Sequence, residues 1–112
     1  MHDAVLNLDT IQNLKTIMGE EFPELVSIYL RDSCARLETF QAALAAQDFE
    51  SLGFAAHSLK GSSANIGAMH LAEIAKCLEQ SAKSCNLTEC QRYLSEIGPI
   101  YQEACAALQQ FC

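Results

Sequence analysis

The spacing of apolar residues is the feature that most restricts the fold of this chain. Between residues 49 and 66, apolar or small residues return in steps of three and four, at Phe49, Leu52, Ala56, Leu59, Ser63 and Ile66. Such steps place these residues on one side of an α-helix, which is expected to face a core. No segment alternates between apolar and polar residues with the period of two that is typical of a half-buried strand. The sequence therefore predicts an all-α protein.

Residues that favour helix ends divide the chain into five predicted helices. Asp9 is expected to cap a short first helix, in a capping box with Gln12, and Gly19 is expected to end it. Pro23 suits the first turn of a second helix, where its missing N–H costs no hydrogen bond. This second helix is predicted to run to about Ala46.

The third helix is predicted to begin after Asp48 and to stop at Asn65-Ile66-Gly67. A fourth is predicted from Ala68 to about Lys83, and Asn86-Leu87-Thr88 is expected to form the turn before the last helix. The residues expected to face the core from the last two helices are Leu71, Ile74, Ala75, Leu78 and Ala82, followed by Leu94, Ile97, Tyr101, Ala104 and Leu108.

Gly98-Pro99 falls inside the last predicted helix. A proline in a helix interior removes a hydrogen bond and costs roughly 3 kcal/mol, so we expect a kink or a short break there. Amphipathic helices joined by short connections pack best as an antiparallel bundle. Because the chain contains no linker, repeat or low-complexity segment, residues 1–112 are predicted to form a single domain.

Composition and charge exclude several classes of function. Seven basic and fourteen acidic side chains give a formal net charge of -7, which repels a phosphate backbone and argues against nucleic-acid binding. No apolar run approaches the ~20 residues that a membrane-spanning helix needs. No secretory signal is visible after Met1, so the expected location is the cytoplasm.

The cysteines are expected to be reduced thiols that pack as small apolar groups. They form no Cys-x-x-Cys pair, and no two histidines have the spacing of zinc ligands, so no metal site is predicted. The six are Cys34, Cys77, Cys85, Cys90, Cys105 and Cys112.

His57 is predicted to face solvent. At about 100° per residue, it lies roughly 130° around the third helix from the centre of the apolar stripe. An imidazole is partly neutral at cellular pH, and its unprotonated nitrogen is then a nucleophile. The P–N bond that it forms is labile, so a phosphoryl group carried there can be passed on.

The neighbours of His57 on its helix face favour a phosphate site. Gly53 and Gly61 lie one turn to either side, and each costs roughly 1 kcal/mol relative to alanine in a helix. Stability gives no reason for both glycines, whereas small residues leave room for a phosphoryl group and for the approach of a partner. Lys60, one turn along, can reach a phosphate with its ammonium group.

Phe54 and Ala64 share the face of His57. Phe54 lies off the core stripe, so it belongs either to a docking patch or to the edge of the core. His2 and His70 have no comparable neighbours and are expected to be ordinary surface histidines.

The stretch from His57 to Ala68, HSLKGSSANIGA, closely resembles the signature of the histidine phosphotransfer (Hpt) family. Its pattern is a histidine, a lysine three residues on, a glycine next, then small residues and a glycine that ends the helix. The resemblance extends to Leu71 and to Leu78-Glu79, and loosely to the whole chain, including its start near Asp9.

The resemblance implies a four-helix bundle with an additional short N-terminal helix. It also implies a phosphoryl carrier rather than an enzyme. Such a carrier accepts phosphate from the aspartyl phosphate of a receiver domain in a hybrid sensor kinase and passes it to the receiver of a response regulator. The chain itself then needs no cofactor, because the Mg²⁺ belongs to the acidic pocket of the receiver, and a monomer is expected.

The resemblance also implies roles for individual residues. His57 is the phospho-acceptor, Lys60 steadies the phosphate, and Gly61 keeps the site open. Some family members carry a glutamine at the position of Glu79, where a carboxylate facing the site would repel a phosphate. Alternatively, Glu79 can orient the imidazole N–H or point toward Lys60, and the sequence assigns it no definite role.

Two other interpretations compete with the Hpt hypothesis. One is the dimerising helical hairpin of a histidine kinase, which carries the kinase's own phosphorylated histidine. That element normally has an acidic or Asn/Thr residue beside the histidine, whereas Ser58 follows His57 here. The other is a structural bundle without phosphate chemistry, which leaves Gly53 and Gly61 unexplained.

Overall fold

The computed structural model describes residues 5–112, which contain helices and no strand. The helices are α1 (Leu8–Met18), α2 (Phe22–Ala45), α3 (Phe49–Ile66), α4 (Met69–Lys83) and α5 (Leu87–Gln109), with a 3₁₀ turn (Gly19–Glu21) between α1 and α2. The all-α prediction is therefore confirmed.

Helices α2 to α5 form the bundle. α3 packs most extensively against α4, α4 packs against α5, and α2 contacts both α3 and α5, which closes the ring. The short connections make neighbours in this ring antiparallel. The shorter α1 lies against α2 and α3. This is the expected antiparallel four-helix bundle with an additional short N-terminal helix.

The core contains the residues that the helical spacing places inside. On α3, the stripe predicted from Leu52 to Ile66 is buried, and Phe49 at its start is half-buried. All ten residues predicted to face the core from α4 and α5 are buried. Ser63, the polar member of the α3 stripe, lies 2.6 Å from the hydroxyl of Tyr29 on α2, and this hydrogen bond satisfies it inside the core.

The predicted start of α1 is wrong by two residues. Asn7, and not Asp9, is the N-cap, because its Oδ1 accepts a hydrogen bond from the Thr10 N–H at 3.1 Å. Asp9 lies within the first turn, where its negative charge favours the positive end of the helix dipole. The capping box of Asp9 with Gln12 is consequently absent.

The remaining helix ends of α1 to α3 agree with the sequence. Gly19 ends α1, Pro23 lies in the first turn of α2, and Asp48 caps α3. Gly67 ends α3 with a φ of 88°, and a Cβ there would lie 3.2 Å from the carbonyl oxygen of Asn7. Glycine therefore allows both the left-handed turn and the close approach of the segment that leads into α1.

Two predictions concern helix α5, one on its start and one on Pro99. Asn86 is its N-cap and accepts from the Glu89 N–H at 3.0 Å, so Leu87 and Thr88 belong to the helix and not to a turn. Of the two alternatives expected at Gly98-Pro99, the break does not occur, because α5 continues through Pro99. The carbonyl that Pro99 cannot bond belongs to Ser95, and both residues are exposed, so water can satisfy it.

The described helices include none that is long and apolar enough to span a membrane. All six cysteines are free thiols: Cys90 is buried, Cys77 and Cys105 are half-buried, and Cys34, Cys85 and Cys112 are exposed.

Candidate functional site

His57 projects from α3 on the side where α4 runs beside it. Its side chain is 65% exposed, as the position on the helix predicted. One ring nitrogen is anchored, because Nδ1 lies 2.9 Å from Oε2 of Glu79 on α4. Burial of α3 through its apolar stripe therefore leaves the rest of the imidazole in solvent.

Glu79 is the buried charge of the site. The residue is only 5% exposed. Its Oε1 accepts from Nζ of Lys60 at 2.8 Å, and Nζ of Lys83 lies 3.5 Å from Oε2. The hydrogen bond from Lys60, together with that from His57, lowers the pKa of Glu79 to about 2, against burial, which raises it. Glu79 is therefore a carboxylate at neutral pH.

The ionisation of Glu79 determines the tautomer of His57. A carboxylate only accepts hydrogen bonds, so Nδ1 of His57 must be the donor at 2.9 Å. In the neutral imidazole the lone pair then belongs to Nε2. Both alternatives that the sequence left open for Glu79 occur together, since it orients the ring through one oxygen and binds Lys60 through the other.

Packing within the chain requires neither glycine beside His57. A Cβ on Gly61 would meet no atom within 4 Å, and a Cβ on Gly53 would make an ordinary contact of 3.7 Å with Cβ of Ala82. Alanine would fit at both positions and would favour the helix. Two residues without side chains thus leave open space next to the imidazole, although packing within the chain does not require glycine at either position.

A groove begins at His57 and runs between α3 and α4. It encloses about 530 Å³ and is mostly apolar. We call it the Phe54 groove, because the aromatic ring of Phe54 forms an exposed wall of it, with 71% of the residue open to solvent. Its lining residues are Phe49, Glu50, Gly53, Phe54, His57, Glu79, Ala82, Lys83 and Cys85.

The structure brings most of the residues singled out in the sequence to one place. Gly53 and Phe54 line the groove with His57 and Glu79. Ala64 does not line it; this residue is exposed on α3, two turns beyond His57.

The family model for the Hpt domain matches residues 24–111. The chain belongs to the Hpt domain family.

Two solved structures share the fold of this Hpt domain. Histidine-containing phosphotransfer protein B (HptB) from Pseudomonas aeruginosa PAO1 is 32% identical, with a TM-score of 0.91 over 94% of this chain and 91% of that one. A rice protein described as a candidate histidine-containing phosphotransfer protein has a TM-score of 0.88 over 99% of this chain and 83% of that one. The rice protein is 18% identical, so its likeness concerns the fold alone. No curated protein matches the chain.

Sequence reasoning missed Lys83 in the site of this Hpt domain. Lys83 follows Glu79 by four residues on α4, so the sequence already showed that the two could form an ion pair on one helix face. The pair gained meaning only when Glu79 proved to contact His57.

The other two histidines lie apart from this site or outside the described residues. His70 is exposed on α4, with Nδ1 3.8 Å from Oε1 of the exposed Glu103, as expected for a surface histidine. His2 lies outside the described residues. Within residues 5–112, no three His, Cys, Asp or Glu side chains gather as metal ligands.

Proposed function

We propose that Nε2 of His57 is the atom that accepts and donates the phosphoryl group in this Hpt domain. The observation that carries the proposal is the 2.9 Å contact between Nδ1 of His57 and the ionised Glu79. Because this contact holds the proton on Nδ1, the lone pair of Nε2 points into solvent, where a partner can reach it.

The transfer step balances without a base on this chain. The Nε2 lone pair forms a bond to phosphorus, while the bond from phosphorus to the oxygen of the partner's aspartyl phosphate breaks and leaves a carboxylate. The ring becomes a phosphoimidazolium and keeps its Nδ1–H on Glu79. In the reverse direction the P–N electrons return to Nε2, so a neutral imidazole leaves. Glu79 acts by stabilising the positive ring in both directions.

Lys60 and Gly61 serve the transferred group in this proposal. Nζ of Lys60 is 2.8 Å from Glu79 and lies beside the imidazole, from where it can donate to a phosphoryl oxygen. Its charge also offsets that of Glu79, which would otherwise repel the phosphate. The open space above Gly61 gives the partner access.

The partners that we propose are receiver domains, one in a hybrid sensor kinase and one in a response regulator. The Mg²⁺ belongs to their acidic pockets, and the Hpt domain needs no cofactor of its own. Gly53 and Phe54 in the Phe54 groove, with Ala64 on the same helix, are the proposed docking residues. The chain acts as a carrier and not as an enzyme, in the cytoplasm, where the ATP that supplies the pathway is found.

A monomer is the proposed state of the protein. The hairpin of α3 and α4 already packs against α2 and α5, so the apolar stripes that face the core are covered within one chain. The dimerising hairpin of a histidine kinase would need a second copy for this purpose. Gel filtration tests the point, since a dimer would favour the kinase alternative.

The test of the main proposal is transfer of labelled phosphate from a phosphorylated receiver domain. The wild-type protein and His70→Gln should take up label at the same rate, and His57→Gln should take up none. His70→Gln is the matched control because it removes the other described histidine without touching the site. Equal labelling of His57→Gln and wild type would refute the proposal.

A further inference from the structure

Lys60 and Lys83 approach the same carboxylate in different ways. Lys60 is 33% exposed and binds Oε1 of Glu79 at 2.8 Å, the distance of a strong hydrogen bond between charged groups. Lys83 is 73% exposed, and its Nζ is 3.5 Å from Oε2, beyond that range. Lys83 is therefore the more loosely held of the two lysines.

Lys83 already lies beside the imidazole. Its Nζ and Nδ1 of His57 approach the same oxygen, Oε2 of Glu79. Both side chains also line the Phe54 groove. Because Lys83 is in the last turn of α4 and mostly in solvent, its flexible stem can turn toward the outer edge of the ring without disturbing the core.

Phosphorylation would change the charge balance at this place. Before it, two lysines face one carboxylate. The phosphoryl group carries a charge of about -1.5 to -2 at neutral pH, and the phosphoimidazolium ring gains one positive charge, so the site becomes more negative overall. Glu79 stays ionised, because its pKa is about 2, so it competes with the phosphate for the same lysines. The loosely held lysine is the one that the phosphate can recruit at least cost.

We propose that Lys83 is a second phosphate-binding residue. When His57 is phosphorylated, the ammonium group of Lys83 moves from Glu79 to the phosphoryl group, while Lys60 keeps the carboxylate in place. This inference rests on the proposed function of His57. It deepens that function by adding a second lysine: the Lys60 ammonium has three N–H donors, so it can keep its bond to Glu79 while it donates to the phosphoryl group, and Lys83 joins it there.

The experiment uses phosphoramidate, a small phosphoryl donor that needs no partner protein, on the full chain. The phosphohistidine signal in the ³¹P NMR spectrum is assigned to His57 by its loss in His57→Gln. The second pKa of the phosphoryl group is then measured from the pH dependence of this signal. Lys83→Gln is compared with Lys76→Gln, which removes the same charge from an exposed lysine two turns earlier on α4.

Lys83→Gln should raise the pKa of the phosphoryl group, because a nearby cation favours the dianion. An exposed pair of this kind changes the ionisation constant about two- to fivefold. Transfer from a phosphorylated receiver should slow by a similar factor. Lys76→Gln should match wild type in both measurements, and Lys83→Arg should restore them.

The possible failures are distinguishable. If wild type is labelled on His57 but Lys83→Gln has the wild-type phosphoryl pKa, the Lys83 inference is wrong and the function of His57 stands. Equal shifts in Lys83→Gln and Lys76→Gln would reflect net charge and would also overturn it. If wild type takes no label on His57, the proposed function fails and the inference fails with it.

Discussion

His57 and His70 are both exposed histidines with a glutamate nearby, but their glutamates differ. Glu79 is buried, contacts His57 at 2.9 Å and also faces two lysines. Glu103 is largely exposed and lies 3.8 Å from His70, where water screens the interaction. This difference is the basis of our proposal that His57, whose Nδ1 is fixed by a buried, ionised partner, is the nucleophile and His70 is not.

The surroundings of the two histidines also differ in the apolar surface and the open space beside the ring. His57 lies at the end of an apolar groove and is flanked along α3 by two glycines that packing does not require. The described structure gives His70 neither feature. Changes that remove these differences one at a time show which of them matters for transfer.

The largest effect is expected from closing the access to His57. Gly61→Phe should slow transfer by about a hundredfold, since it obstructs the approach of the partner to a site that needs close alignment. Circular dichroism should show unchanged or higher helix content. Gly61→Ala is the control: its Cβ enters open space, so the free energy of unfolding should rise by about 1 kcal/mol with transfer largely kept. Normal transfer by Gly61→Phe would remove the argument for an open site.

Replacement of the carboxylate makes His57 more like His70. Glu79→Gln keeps the shape but loses the charge that stabilises the ring and holds the lysines, so transfer should slow by about tenfold. Glu103→Gln, the matched change beside His70, should leave transfer unchanged. Equal effects of the two substitutions would contradict the distinction drawn between the two histidines.

Glu79 should also make stability depend on pH. Its pKa is lowered from 4.5 to about 2 in the folded chain, so its stabilising contribution is complete above about pH 4.5 and is lost as the pH falls toward 2. Urea unfolding at pH 7 should show Glu79→Gln less stable than wild type by on the order of 2 kcal/mol. The difference should shrink near pH 2. A constant difference would mean that the carboxylate is not held by Lys60 and His57.

Removal of Lys60 should have a smaller effect on transfer than the loss of Glu79. Lys60→Ala is expected to slow transfer about three- to tenfold, because Lys83 remains beside Glu79 and can still reach a phosphoryl group on His57. The circular dichroism spectrum should match that of wild type, since Lys60 contributes little to the core. A wild-type transfer rate in a folded Lys60→Ala variant would argue against its role.

The smallest effect is expected at the groove wall. Phe54→Ala should weaken binding of a receiver domain by a few-fold, because the ring offers apolar area to a partner. Stability should change by less than about 0.5 kcal/mol, since 71% of the residue is exposed. Calorimetric titration with a receiver measures the affinity, and unchanged affinity would exclude Phe54 from the interface.

Local sequence signals predicted much of this molecule. The α3 stripe follows from the helical period, and the exposure of His57 follows from the same period. Asp48 and Gly67 mark helix ends because capping involves neighbours in the chain. The error at Asp9 arose where Asn7 offered an equally good cap two residues earlier. α5 tolerates Pro99 because Ser95 and Pro99 are exposed, so water can satisfy the unbonded carbonyl.

By itself the sequence determined which segments are helices, which sides of them are buried, and that an open imidazole stands among small residues beside a lysine. Only the tertiary structure decided what Glu79 does. Its contacts with His57 and Lys60 bridge 22 and 19 residues along the chain. They depend on the axial register of α4 relative to α3. This register is set by packing across the whole core and not by any local pattern. That register places a buried charge against His57 and leaves His70 with an exposed one.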